Sequence, residues 1–130
     1  MNGTPINVVI DTNILFMSLY DKNGKAAKII KYVNENKIVL YSPMSVKVDL
    51  SRVLQREMDY NLEEIDNLFE GLPVKWIEKE TYEEAIEKTK VKHKADKPIE
   101  ALALILNCSI LTADKHFDNI KNKIDVNELL

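Results

Sequence analysis

In a chain of alternating strands and helices, two aspartates fall where such a fold presents residues to a ligand, and two more sit on elements that could reach them. Asp11 closes the apolar run of residues 7–10 and is followed by Thr12 and Asn13. Asp114 comes two residues after Thr112, just past the apolar run 109–111. Asp49 falls about two turns into the helix after the second strand, and Asp96 stands two residues before Pro98 at the start of another. Carboxylates drawn together repel unless a cation neutralises them, and the hard dications Mg²⁺ and Mn²⁺ take oxygen ligands by preference. A cation held in this way polarises a phosphodiester, activates a water and steadies charge on the leaving oxygen. Plainer work suits the same positions. Asp11 and Asp96 are good helix caps, Asp49 a good exposed helix residue and Asp114 a good turn former.

Other chemistries find less support. Two histidines, His93 and His116, and one cysteine, Cys108, show no zinc-ligand spacing. No glycines follow the first apolar run, which excludes a Walker loop and a dinucleotide fingerprint, and no Gly-x-Ser-x-Gly elbow occurs. Cys108 has no partner for an internal disulfide and reads as a small buried hydrophobe. The net charge of −3 neither advertises nor forbids nucleic acid, because phosphate affinity follows local patches. No apolar run reaches the roughly 18 residues of a membrane span. Residues 1–5 lack the basic and apolar zones of a signal peptide. A cytoplasmic protein without a membrane partner is expected.

The elements that must carry the acids follow from hydrophobic period. Of the 130 residues, 45% are apolar and 30% charged, which suits one globular domain over residues 1–130, with 1–5 as a flexible lead. Residues 7–10, 38–41, 74–77 and 109–111 read as short buried strands, and a last strand is expected around 124–126. Helical spacing marks Ala26, Ile29, Ile30 and Val33, then Val46, Leu50, Val53 and Leu54. The second of these helices is expected to open with Ser42 as its cap and Pro43 in its first turn. A helix from Asn61 ends at Gly71, another runs from Thr81 to about Lys90, and Pro98 opens one that is apolar nearly all round. Strands alternating with helices imply a parallel sheet covered on both faces, an α/β domain. In such sheets ligands bind beyond the carboxyl ends of the strands, which is where Asp11, Thr112 and Asp114 fall.

Four blocks in order resemble the PIN-domain nucleases over most of the chain. They are Val9, Ile10, Asp11, Thr12 and Asn13; Tyr41, Ser42 and Pro43 running into Val48, Asp49 and Leu50; Ala95 and Asp96 with Pro98 and Ile99; and Ile110, Thr112, Asp114 and Phe117. The resemblance implies a single-domain, three-layer α/β/α fold with strand order 3-2-1-4-5. It places Asp11, Asp96 and Asp114 at the metal and Asp49 as the second acid, together forming the catalytic set. Asn13 is expected to brace the first turn, and Thr112 to orient Asp11 or the loop of Asp114. The family carries glutamate where this chain has Asp49, one methylene shorter, so Glu100, one turn after Asp96, is a candidate to supply reach. Asp118 is a weaker candidate.

The function implied is a metal-dependent endoribonuclease using Mg²⁺ or Mn²⁺. Its single-domain form resembles the toxins of toxin–antitoxin pairs, so an antitoxin protein and a second copy of the chain are implied partners beside RNA. Lys90, Lys92 and Lys94, just before Asp96, are the candidate groups to meet phosphate. A non-catalytic PIN-like scaffold binding RNA or protein is the alternative. A response-regulator receiver is a third reading, but it requires an acid pair after the first strand, and the pair is missing.

Overall fold

The computed structural model describes residues 4–129. The part of the expected flexible lead that falls on residues 1–3 lies outside the described residues. Five parallel strands form one sheet: β1 (Ile6–Ile10), β2 (Ile38–Pro43), β3 (Val74–Ile77), β4 (Ser109–Leu111) and β5 (Lys123–Ile124). Their order is β3-β2-β1-β4-β5, and every neighbouring pair is parallel. β1 is central, and its Val8, Val9 and Ile10 are fully buried, as a strand covered on both faces requires. Register aligns Ile10 with Leu111 and Val9 with Tyr41. The chain therefore leaves β1 and β4 side by side, with Asp11 and Thr112 as the next residues.

Helices α1 (Thr12–Tyr20), α2 (Lys25–Asn34), α3 (Met44–Met58), α4 (Leu62–Gly71), α5 (Lys79–Tyr82), α6 (Lys97–Leu106) and α7 (Val126–Leu129) complete the α/β/α domain, with 3₁₀ turns at Glu83–Lys88, Lys94–Asp96 and Lys115–Phe117. α6 packs on β1, β2 and β4, while α3 packs on α1, β2 and β3. Among the described residues, no helix is long and apolar enough to cross a membrane.

The structure departs locally from the sequence expectation at several places. Ser42 is the penultimate residue of β2 instead of a helix cap, because its buried hydroxyl donates to the Ile10 carbonyl at 2.8 Å and keeps the strand paired. Pro43 then occupies the cap position of α3. The stretch after Thr81 breaks into α5, beginning at Lys79, and the 3₁₀ turn Glu83–Lys88. α1 is a full helix that hydrophobic period alone does not announce, since Ile14, Leu15, Phe16 and Met17 leave no polar face to read. α6 is buried continuously from Ile99 to Ala103, whereas Leu104 and Ile105 are exposed, so only its middle is packed all round. Cys108 is half-buried, and its thiol is pushed upward in pKa by burial.

Candidate metal centre

Asp11 is the N-cap of α1. Its Oδ1 accepts the Ile14 N–H at 3.0 Å, satisfying one of the orphan donors of the first turn. Thr112, wholly buried at the end of β4, donates its hydroxyl to Asp11 Oδ2. The same Thr112 oxygen accepts the Asp114 N–H at 3.0 Å. One hydroxyl thus orients the carboxylate after β1 and the backbone that bears Asp114. Asp114 in turn caps the 3₁₀ turn Lys115–Phe117, accepting the His116 N–H at 2.9 Å.

Asp96 enters from the other side. The 3₁₀ turn Lys94–Asp96 leads into α6, and Asp96 stands at its N-terminus with Pro98 in the first turn. His116 spans the gap: its Nδ1 lies 3.1 Å from Asp96 Oδ2 and 3.3 Å from Asp114 Oδ1. Asp11, Asp96 and Asp114 are therefore tied into one group through Thr112 and His116.

The electrostatics match that geometry. Asp11 is only 4% exposed, and burial is the main reason its pKa is raised. Thr112 and the Ile14 amide pull it down, while the charges of Asp114 and Asp96 push it up again. Asp96 is raised as well, first by burial and then by Asp114, against the lowering effect of His116. Among the described residues, the ion pairs made by these three acids involve only the His116 imidazole and no lysine or arginine. Desolvated carboxylates that repel one another, with no lysine or arginine ion-paired to them among the described residues, fit a hard dication, which supplies the missing charge and accepts oxygen donors.

The remaining candidates stand elsewhere. Asp49 lies on α3 with its side chain 45% exposed, 3.8 Å from Arg52, and it is not among the charges that raise Asp11 or Asp96. Glu100 is buried, and its Oε1 accepts the N–H groups of Lys90 (2.6 Å) and Val91 (3.0 Å). That carboxylate oxygen fixes the segment before Asp96, helped by Lys97 Nζ, which donates to the Val91 carbonyl at 3.1 Å. Asn13 is exposed on the first turn of α1, where the closing hydrogen bond comes from Asp11. Asp118 is exposed and paired with Lys123. Lys90, Lys92 and Lys94 are all exposed. Lys92, with Lys115, lines a cavity of about 480 Å³ beside the acids.

Two residues that spacing set apart are brought together. His93 and His116, distant in sequence, stack with ring centroids 3.8 Å apart and planes 18° from parallel. Both belong to loops at the same rim of the sheet, which residue spacing does not reveal. The nearness of His116 to Asp114 in the chain is the one hint that the sequence offers.

Solved structures share this architecture. A toxin–antitoxin complex from Klebsiella pneumoniae matches with a TM-score of 0.71 at 15% identity, covering 92% of this chain and 97% of that one. VapBC2 from Rickettsia felis, bound to a DNA fragment from its promoter, gives 0.64 at 17% identity, with 92% and 97% covered. PAE2754 from Pyrobaculum aerophilum gives 0.61 at 14% identity, covering 97% of this chain and 87% of that one. No curated protein sequence is matched at a significant level. At such identities the structures speak for the fold alone. The sequence itself carries the assignment further, since the profile of the PIN domain matches residues 9–126, from the strand before Asp11 to past β5, and on that span the chain belongs to the PIN-domain family.

Proposed function

We propose that the chain is a divalent-metal-dependent endoribonuclease. The observation that carries the reading is the convergence of Asp11, Asp96 and Asp114 at the carboxyl ends of β1 and β4, joined through Thr112 and His116. The three aspartates would hold Mg²⁺ or Mn²⁺. When bound, such a cation polarises the scissile phosphate and lowers the pKa of an attacking water. Thr112 keeps the Asp11 carboxylate in one orientation, so little rearrangement accompanies metal entry. Glu100 and Lys97 hold the backbone of residues 90–91 in place, setting the exposed Lys90, Lys92 and Lys94 along the approach to Asp96. Those ammonium groups would meet RNA phosphates, and release of condensed counterions would drive part of the binding. Asp49 is the second acid of the proposed set, acting on the cation through water from its place on α3.

The toxin half of a toxin–antitoxin pair is the setting that the structural relatives favour. An apolar groove between α3 and α4, where Val48 is 48% and Leu62 64% exposed beside Met44 and Phe69, supports a protein partner there. Exposed Met17 and Tyr20 on α1 offer a second apolar face for a copy of the chain. We place this activity in the cytoplasm.

The deciding experiment incubates wild type and Asp11→Asn with a mixed RNA pool in Mg²⁺ or Mn²⁺. Cleavage by the wild type, abolished by EDTA and by the substitution, is the expected result. Cleavage of equal rate in both proteins would overturn the reading. A wild type that binds Mg²⁺ at the acids yet cuts no RNA would favour the scaffold alternative.

A further inference from the structure

The stacked histidines are not explained by a site for a hard cation. Mg²⁺ and Mn²⁺ select oxygen, whereas neutral imidazole is a ligand of choice for Zn²⁺, Co²⁺, Ni²⁺ and Cu²⁺. His93, Asp96 and His116 each offer one ligand atom, and these atoms lie within 4.8 Å of one another. In a tetrahedral site with bonds of about 2.0 Å, neighbouring donors stand roughly 3.3 Å apart. His116 Nδ1 already has that spacing to Asp96 Oδ2 (3.1 Å) and to Asp114 Oδ1 (3.3 Å). His93 is an exposed side chain, free to swing its ring through ordinary rotamers to complete the set.

The site is also open to solvent. The two imidazoles open on the cavity of about 480 Å³ lined by Lys92, Lys115, Asp118 and Asn119, so an ion can enter from solvent. The Asp96 side chain, 15% exposed, provides the partly desolvated negative charge. A cation gives both rings and this carboxylate a common partner, which stacking alone does not.

We propose that His93, Asp96 and His116 form a second cation site, selective for a borderline transition metal of the Zn²⁺ class, with Asp114 as an available fourth ligand. It shares Asp96 with the acid pocket but draws on nitrogen donors that the pocket does not use. The site stands whether or not the acid pocket cleaves RNA. Where both sites function, the shared Asp96 makes them competitors: an ion on the histidines turns that carboxylate away from Mg²⁺.

Co²⁺ is the probe, because its visible d–d absorption reports nitrogen coordination and low coordination number directly. Titration of tag-free protein with Co²⁺ should develop an intense visible band at one equivalent, bleached by stoichiometric Zn²⁺. His93→Ala and His116→Ala should each weaken the binding by roughly tenfold or more, since losing a direct ligand costs at least as much as losing an outer-shell partner. Both histidines are exposed, so these variants should fold, and circular dichroism checks that they do. Asp11→Asn should keep the band while losing Mg²⁺ affinity measured by calorimetry, which separates the two sites. An absent band, a band indifferent to both histidine substitutions, or a band lost in Asp11→Asn would each overturn the second site. Failure of Mg²⁺ to bind the wild type would count against the acid pocket and leave the Co²⁺ result standing.

Discussion

Asp11 and Asp49 carry the same functional group in opposite circumstances. Asp11 is 4% exposed, follows the central strand, and has both carboxylate oxygens engaged by donors on rigid elements. Asp49 is nearly half exposed on α3 and answers to a surface arginine. Water already screens the charge of Asp49, so a cation gains little by pairing with it. Burial and two neighbouring acids make the charge of Asp11 costly, and a cation relieves that cost. Acidity alone does not mark a metal ligand. Its enforced desolvation beside other acids does.

The comparison breaks first at Asp11. Asp11→Asn should lower divalent-dependent cleavage by about 100-fold or more, the equivalent of several kcal/mol of lost charge stabilisation. The fold should survive, because the amide oxygen can still take the Ile14 N–H and one of three repelling charges is gone. Asp96→Asn and Asp114→Asn should follow it closely. Loss of activity accompanied by loss of cooperative unfolding would show a cap at work and not a ligand.

Thr112 is the next test. Thr112→Val removes a buried hydroxyl that serves both Asp11 and the Asp114 amide while preserving shape. Leaving those groups unsatisfied should cost roughly 1–3 kcal/mol of stability by denaturant titration. Cleavage should fall about 10–100-fold, the usual penalty for losing a group that orients a ligand. An active valine variant would mean that the pocket does not depend on a fixed Asp11.

A pH series sharpens the same contrast without mutation. Asp11 and Asp96 have raised pKa values in the folded protein, so between the ordinary aspartate value and those raised values the folded chain holds more protons than the unfolded one. Stability of the metal-free protein contributed by these groups therefore declines as pH rises through that window, and the penalty is absent below it. Mg²⁺ binds the ionised form, so adding it should flatten or reverse the decline. Urea midpoints measured across pH, with and without Mg²⁺, read this directly. Identical slopes in the two series would mean that no cation relieves the pair.

Much of this was legible in the chain. The order of the strands, helices α2, α3, α4 and α6, Asp11 at the end of β1 and Thr112 beside Asp114 follow from short apolar runs and helical spacing, whereas α1, apolar nearly all along, does not. Topology then forces β1 and β4 together, which makes two distant acids neighbours. The meetings of loops were not legible. Nothing in the spacing of His93 and His116 foretells their stack, and Glu100 gave no sign that it would be buried against the Lys90 and Val91 amides. Ser42 reads as a helix cap in the chain, and only the Ile10 carbonyl across the sheet makes it a strand residue.

A smaller effect is expected from the lysines. Replacing Lys90, Lys92 and Lys94 with glutamine should leave folding unchanged, since all three are exposed. The salt dependence of RNA binding should become shallower by about 0.7 in log–log slope for each phosphate that a lysine no longer neutralises. An unchanged slope would reduce these residues to a solvated surface.

The smallest effect belongs to Asp49, and it tests the comparison from its weak side. Its pair with Arg52 spans 3.8 Å between exposed groups three residues apart on α3, a geometry worth about 0.5 kcal/mol or less. Asp49→Ala should therefore barely move the unfolding midpoint, and cleavage should drop by only a few fold if the carboxylate acts on the cation through water. Asp49→Glu is the more informative change. It adds the methylene that the resemblance to PIN nucleases leads one to expect here, and the 45% exposed side chain has solvent to extend into. Should Asp49 sit at the margin of the pocket, glutamate extends the carboxylate inward, tightens Mg²⁺ binding by calorimetry and raises cleavage above wild type. Should α3 hold the position out of reach, Asp49→Glu and Asp49→Ala will match the wild type in Mg²⁺ affinity, and three aspartates suffice. A loss of activity in Asp49→Ala as deep as that of Asp11→Asn would overturn the contrast itself, because it would make a solvated, arginine-paired carboxylate as necessary as a buried one.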